Sequence, residues 1–214
     1  MALHYPIAFS TLACPDWRLE RVAAAAVEYG YNAIEMRTLD GVVVSSELLT
    51  HELLRIRTVL RAHELQLIGI GASTRFASPD AAERAAQGAE LRRLLEVASA
   101  LEVPLVRTFG GVPPIGTSDQ DAAGYVVAGL EPLLADAERL GVQIALETHD
   151  AFSRGALVAM VLMRCHIRSS RGSGIFCTRC ASARRLRRPG SSSGACGACA
   201  CEGWQAEGSA ERRA

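Results

Sequence analysis

From Pro6 to about Ala159, short apolar runs alternate with segments of helical period. The first run, Ile7 to Phe9, leads to Asp16, a residue suited to cap a helix, and then to an apolar stripe at Leu19, Val22, Ala23, Ala26 and Val27 that Gly30 ends. The second, Ala33 to Met36, precedes Leu49, Leu53, Ile56 and Leu60, spaced four, three and four as one helix face requires. The third is Leu67 to Ile70. Its helix is expected to open near Ser78, with Pro79 in the first turn, and carries Leu91, Leu94, Leu95, Ala98 and Leu101. The fourth run, Pro104 to Phe109, passes through a loop with Pro113, Pro114 and Ile115 into a helix bearing Val126, Leu130, Leu133, Leu134, Ala137 and Leu140, closed by Gly141. The fifth is Val142 to Leu146, and a further helix begins near Ser153.

Apolar strands that do not alternate are buried on both faces, and strand-helix repeats with short links imply a parallel sheet with right-handed crossovers. The fold class is therefore α/β. Two architectures fit, an open doubly wound sheet and a (β/α)₈ TIM-type barrel of which about five units are visible. A dinucleotide-binding sheet needs glycines at the first strand-helix junction, where backbone approaches a pyrophosphate, and Ser10 to Asp16 contains none. The barrel is favoured, truncated to about five βα units over residues 1–159.

Charge changes this picture at the far end of the chain. The 23 basic and 23 acidic side chains balance only because residues 1–159 carry −7 and residues 160–214 carry +7. Cys14 stands alone early, whereas Cys165, Cys177, Cys180, Cys196, Cys199 and Cys201 crowd the last 55 positions. Arg, Ser, Ala, Gly and Cys make 39 of those 55 residues, a mixture with too little apolar area to offset a chain entropy of about 1–2 kcal/mol per residue. Residues 160–214 are accordingly expected to be an irregular or disordered tail. The same five residue types arise when GC-rich DNA is read out of frame, and the absence of lysine fits GC-rich coding, so a frame change near residues 157–163 accounts for the tail. No apolar stretch is long enough to cross a membrane, and the start MALHYPIAFS lacks the pattern of a secretory signal. A cytoplasmic protein is expected, with thiols free or metal-bound rather than in disulfides.

The phrases IAFSTLACPDWRLE, YGYNAIEMR, LIGIGAS, LVRTFGG and above all GVQIALETHD fall in order on the five strands. As a set they resemble the sugar phosphate isomerase/epimerase family with the xylose-isomerase-like TIM barrel, over roughly residues 3–159. The resemblance implies a barrel that binds one divalent metal, Mn²⁺ or Mg²⁺ or a similar ion, and that isomerises, epimerises or dehydrates a sugar or polyol by proton transfer next to a carbonyl. The family's metal is held by a Glu at the end of the fifth strand, then an Asp, a His and a Glu on the next three. Glu147 in ALETHD matches the first, and the other three have no recognisable counterpart. A metal site with one of four ligands predicts weak metal binding and slow or absent turnover.

In such barrels the chemistry gathers at the C-terminal strand ends. The candidates there are Glu35 and Arg37, Ser73, Arg107, Glu147 and His149. An unpaired carboxylate at Glu147 costs several kcal/mol unless a cation or hydrogen bonds receive it. The receiving group is a metal or an ion pair with Arg37 or Arg107. His149 shares the direction of Glu147 if the strand persists, and suits a substrate hydroxyl or a surface loop equally. Glu35 and Arg37 point to one face, where they meet each other at the rim or a polar ligand. Arg107 suits a substrate phosphate or carboxylate, which a planar guanidinium holds with two bonds.

The abasic-site endonuclease of the same superfamily also carries an LET-type phrase, but it draws metal ligands from histidines at earlier strand ends. Those ends here read Gly71-Ala72-Ser73 and Phe109-Gly110-Gly111, and the barrel portion is acidic, so a nucleic-acid partner is not expected. The alternative function from another class is a zinc-ribbon-like module in the tail, because Cys177, Cys180, Cys196 and Cys199 fit a C-x2-C-x15-C-x2-C spacing. Self-association through exposed sheet edges is a further expectation for a truncated parallel barrel.

Overall fold

The computed structural model describes residues 7–168 and 175–177. In chain order it contains β1 (Ala8–Ser10), α1 (Leu19–Glu28), β2 (Ala33–Met36), a small hairpin of β3 (Thr38–Leu39) and β4 (Val42–Val43), α2 (Ser46–His51) and α3 (Leu53–Ala62). There follow β5 (Gln66–Arg75), α4 (Ala81–Ala100), β6 (Leu105–Phe109), α5 (Asp119–Leu130), α6 (Leu134–Leu140), β7 (Gln143–Glu147), α7 (Gly155–Arg168) and β8 (Ile175–Cys177). Six strands form one sheet in the order β1-β2-β5-β6-β7-β8, every neighbouring pair parallel. Strand order therefore follows chain order without the reversal that defines a doubly wound sheet, and this is the TIM-barrel succession.

The two faces of the sheet differ in chemistry. Ile34, Met36, Ile70, Ala72, Val106, Thr108, Ile144 and Leu146 are fully buried and belong to alternate positions of their strands. They join Val22, Ala26, Ile56, Leu60, Leu91, Leu95, Val126 and Leu130 of the helices in one core, apart from the hydroxyl of Thr108, which bonds to Thr74. Each such side chain contributes about 1.5–3 kcal/mol of burial. The intervening positions Glu35, Gly69, Gly71, Arg107, Ala145 and Glu147 hold small or ionic residues instead. The expectation of strands apolar on both faces is thus corrected: a barrel interior that ends in a polar mouth needs room and charge there, and the apolar runs were broken at these positions for that reason.

Several boundaries move for identifiable reasons. Asp16 does not cap α1, which begins at Leu19 without a side-chain cap from Arg18. The Leu19 N–H donates to Asp40 Oδ1 at 2.9 Å, so the cap comes from the turn between β3 and β4. Asp40 and Gly41 both have positive φ there, which identifies the Asp-Gly turn favoured between twisted antiparallel strands. Ser78 is not the cap of α4 either; Asp80 accepts from Ala82 N–H, while Ser78 donates to Glu83. The long helix expected after Pro114 divides into α5 and α6 around a short 3₁₀ turn containing Pro132, which lacks the N–H a continuous helix requires.

The expected tail boundary also moves. The helix begun near Ser153 continues past Ala159 to Arg168, burying Leu157, Val158, Val161 and Cys165, and β8 adds a sixth strand beside β7. Local apolar spacing of Leu157, Val158, Val161 and Cys165 suffices for that helix despite the arginine-rich composition around it.

Candidate functional site

The polar mouth is assembled by register. Glu35 pairs across β2–β5 with Gly69, Gly71 of β5 with Arg107 of β6, Arg107 with Ala145 of β7, and Phe109 with Glu147. Residues in register share a face, so small side chains alternate with long ones and the long ones lean over the small. Gly71 shows why the alternation matters. A Cβ there would lie 2.5 Å from Arg107 Nη2 and 2.9 Å from Glu35 Oε1, so glycine is required by close approach and not by backbone freedom.

Arg107 occupies the centre. Its Nη2 lies 3.3 Å from Glu35 Oε1 and its Nη1 lies 2.6 Å from Glu147 Oε2. The guanidinium carbon stands 4.7 Å above the Phe109 ring, a cation–π contact that fixes the plane of the group. Its side chain is 12% exposed, against 27% for Glu35 and 30% for Glu147, so the cation is the more deeply held partner. Arg107 Nη1 and Glu147 Oε2 are buried and close, yet not aligned for a hydrogen bond. Glu35 was expected to meet Arg37 or a polar ligand; it is Arg107 that it meets, because Gly69 and Gly71 let the β6 side chain cross β5.

Arg37 is placed by β1. Its backbone N–H donates to Thr11 Oγ1 at 2.9 Å, and the same hydroxyl accepts from Thr38 N–H and donates to Thr38 O. The guanidinium then reaches across to β5, where Nη1 donates to Gly71 O at 3.0 Å and Ser73 Oγ at 2.8 Å. Burial holds its pKa below the usual guanidinium range, and the nearby charge of Arg107 adds to the effect. Arg75, two residues beyond Ser73, contributes a further repulsion to Arg37. Arg75 was absent from the expected site because the third apolar run stopped at Ile70, whereas the strand continues to Arg75. The alternation of small residues through Gly69, Gly71 and Ser73 was the available signal.

His149 keeps an extended backbone after β7 and so shares the direction of Glu147. Its ring packs edge-on to Phe109 with centroids 5.2 Å apart, and Nδ1 lies 2.9 Å from Asp150 Oδ1. Phe109 therefore touches both Arg107 and His149 and fixes their separation. Among the described residues no group of three or more His, Cys, Asp or Glu side chains could hold a metal ion. Glu147 offers one buried carboxylate oxygen, but a guanidinium stands 2.6 Å from it, so a Mn²⁺ or Mg²⁺ centre does not fit these residues as they are arranged. Of the tail cysteines, Cys177 lies in β8 beside Leu146, while Cys180, Cys196, Cys199 and Cys201 lie outside the described residues, and the zinc-ribbon expectation with them.

The sequence profile of the xylose isomerase-like TIM barrel family matches residues 23–157, well over half of the chain. The chain belongs to that family. No curated protein matches it by sequence. Solved structures of the xylose isomerase-like fold resemble it. Protein SMc04130 from Sinorhizobium meliloti 1021 aligns with a TM-score of 0.62 at 21% identity, covering 79% of this chain and 61% of that one. L-ribulose 3-epimerase aligns at 0.60 and 21%, covering 81% and 60%. The IolI protein, solved with a zinc atom bound, aligns at 0.57 and 23%, covering 67% and 51%. The chain thus spans about three-fifths or less of the length of these members of the xylose isomerase-like fold. Among the described residues, no helix is long and apolar enough to cross a membrane.

Proposed function

We propose that the mouth formed by Glu35, Arg37, Arg107, Glu147 and His149 binds a sugar or polyol, and that Glu147 moves a proton next to the substrate carbonyl, as in an isomerase or epimerase. The observation that carries this reading is Glu147 itself. It stands at the C-terminal end of β7, with a buried carboxylate oxygen that no donor satisfies. A carboxylate in that condition is poised to accept a proton or to receive a cation. Sugar epimerases with the same fold support the substrate class.

Arg107 is a positioning residue in this scheme. It links Glu147 to Glu35 and holds the carboxylate against a fixed cation while the substrate enters. His149, half exposed and backed by Asp150, supplies a ring nitrogen to a substrate hydroxyl. A divalent ion would supply polarisation of the substrate oxygens, with Glu147 among its ligands. The described residues furnish too few partners for it, so weak Mn²⁺ or Mg²⁺ affinity and slow turnover belong to the proposal.

Hydrogen–deuterium exchange tests it. In D₂O, ketoses and aldoses incubated with the protein should gain deuterium at the carbon next to the carbonyl, and Glu147→Gln should abolish the gain while the fold is retained. If Glu147→Gln exchanges as fast as the parent, or unfolds the chain with no exchange seen in the parent, Glu147 is a structural ion-pair partner and the proposal fails.

A further inference from the structure

The mouth holds more positive charge than its carboxylates neutralise. Glu35 and Glu147 both engage Arg107, and among the described residues no carboxylate lies within ion-pair distance of Arg37 or Arg75. The Arg37 guanidinium is half-buried, and its recorded bonds go to two neutral oxygens, Gly71 O and Ser73 Oγ. Partial burial of a charge without a counter-charge is costly, and a guanidinium has five N–H donors of which a single nitrogen is used here. Arg75 follows Ser73 on the same strand face and stands near enough to repel Arg37. Two guanidiniums thus converge on one serine hydroxyl, with no anion of the described chain between them.

The space beside them is adequate. A cavity of about 340 Å³ is lined by Arg75, Ser78, Gly111, Pro113 and Asp150, within the ~300–1,000 Å³ typical of small-molecule sites. It reaches from the end of β5 to the segment just past β7. Gly111, with φ of +95°, lets the Arg75 stem pack at 3.1 Å from where a Cβ would stand, which holds Arg75 along the cavity wall. The carboxylates in that wall are engaged elsewhere: Glu83 accepts from Ser78 Oγ at 2.6 Å, and Asp150 faces His149.

We infer that Arg37, Ser73 and Arg75 form an oxyanion subsite, and that the substrate is an anionic polyol, a sugar phosphate or sugar acid, bound by its charged end there with its carbon chain directed toward Glu147. This rests on the sugar-mouth reading above and extends it by naming the substrate's charge. A planar guanidinium binds phosphate or carboxylate oxygens through paired N–H donors, and the Ser73 hydroxyl can donate to the same oxyanion while still accepting from Arg37. Arg107 does not serve the subsite, because its donors are directed at Glu35 and Glu147.

Calorimetric titration of the full chain at low ionic strength tests the inference, using inorganic phosphate, a pentose phosphate, an aldonate and the uncharged pentose. The pentose phosphate or the aldonate should bind more tightly than the uncharged pentose by about tenfold or more, and the tighter of the two tells phosphate from carboxylate. Arg75→Gln, at an exposed position, and Arg37→Gln should each erase most of that preference and leave uncharged-sugar binding nearly unchanged. Should Arg37→Gln unfold the chain, the Arg75→Gln and Ser73→Ala variants still decide the matter. Inorganic phosphate binding that depends on Arg75, in a protein that binds no sugar, would uphold the subsite and sink the sugar reading. Equal binding of charged and uncharged sugars, binding of sugar without any binding of the anions, or anion binding indifferent to both arginines would overturn the inference.

Discussion

Arg107 and Glu147 stand side by side on adjacent parallel strands, the guanidinium nitrogen 2.6 Å from a carboxylate oxygen, while the other arm of the same guanidinium reaches Glu35 at 3.3 Å. One cation therefore holds together two carboxylates of the mouth. Removing it leaves both without a partner in a partly dry environment. Arg107→Met, which keeps the stem, should destabilise the fold by about 1–3 kcal/mol, less than the ~3–5 of a fully buried pair because the carboxylates retain some exposure. Urea denaturation measures this. Adding Glu35→Gln and Glu147→Gln to Arg107→Met should recover most of the loss, and a triple variant no more stable than the single one would show that charge is not the cause.

Two glycines with opposite surroundings separate close approach from helix propensity. A Cβ at Gly71 would collide with Arg107 and Glu35, so Gly71→Ala should cost about 1–3 kcal/mol and displace the guanidinium. Gly88 lies inside α4, where the nearest atom to a new Cβ is Gly129 O at an ordinary 3.8 Å. Gly88→Ala should raise stability by about 0.5–1 kcal/mol. Thermal melts of the two variants should therefore shift in opposite directions. A common direction would mean that the α4–α5 contact or the mouth is wrongly described.

Acid should weaken the fold through the cluster that joins α1, the β3–β4 turn and α3. The Arg55 guanidinium bonds both Glu20 oxygens and the Asp40 carboxylate. Hydrogen bonding from Arg55, helped by the Glu20 backbone, holds the Glu20 carboxyl at about 2 against an ordinary 4.5, and Arg55 also lowers Asp40. Depressed pKa values give stability that is fully present above about pH 4.5 and is lost as pH falls from there toward 2. Melting temperature should drop across that window, and Arg55→Gln should flatten this part of the profile. Because Glu20 is half exposed, the effect should be modest and should shrink in salt.

Association is the expected behaviour of the outer strands. β1 and β8 are the edges of the described sheet, and Ile7 beside β1 is 61% exposed. An unpaired strand edge with apolar neighbours recruits another strand. Sedimentation velocity should show mass rising with concentration, and Ile7→Lys should reduce the rise by placing charge on the edge. A single monomeric species at every concentration would exclude edge pairing.

Much of the architecture was legible because it follows from local periodicity. The apolar stripes of α1, α3, α4 and α5, the closing glycines Gly30 and Gly141, and the missing glycines after β1 sufficed for an α/β barrel of the xylose isomerase-like kind. They work because a helix face or a strand end is decided within a few residues. The strand-end positions of Glu35, Arg37, Ser73, Arg107, Glu147 and His149 were legible in the same way, since each follows or ends an apolar run.

Which of these residues meet was decided by tertiary structure. Pairing depends on register between strands more than 30 residues apart, and on what the neighbouring strand leaves empty. Arg107 reaches Glu35 because Gly71 has no side chain, a relation that no spacing within either segment encodes. Asp40 caps α1 from 21 residues away for the same reason: the Asp-Gly turn is local, but where it comes to rest is set by how β3, β4 and α1 pack. Arg75 entered the mouth because hydrogen bonding to β6 extended β5 past its apolar run. Composition alone marked residues beyond Ala159 as unable to fold, yet α7 continues to Arg168 by docking on α5. The sequence thus determined the elements and the identity of the charged groups, through forces that act along the chain. The tertiary structure decided their partners, because ion pairs and close approaches depend on distances that only packing sets.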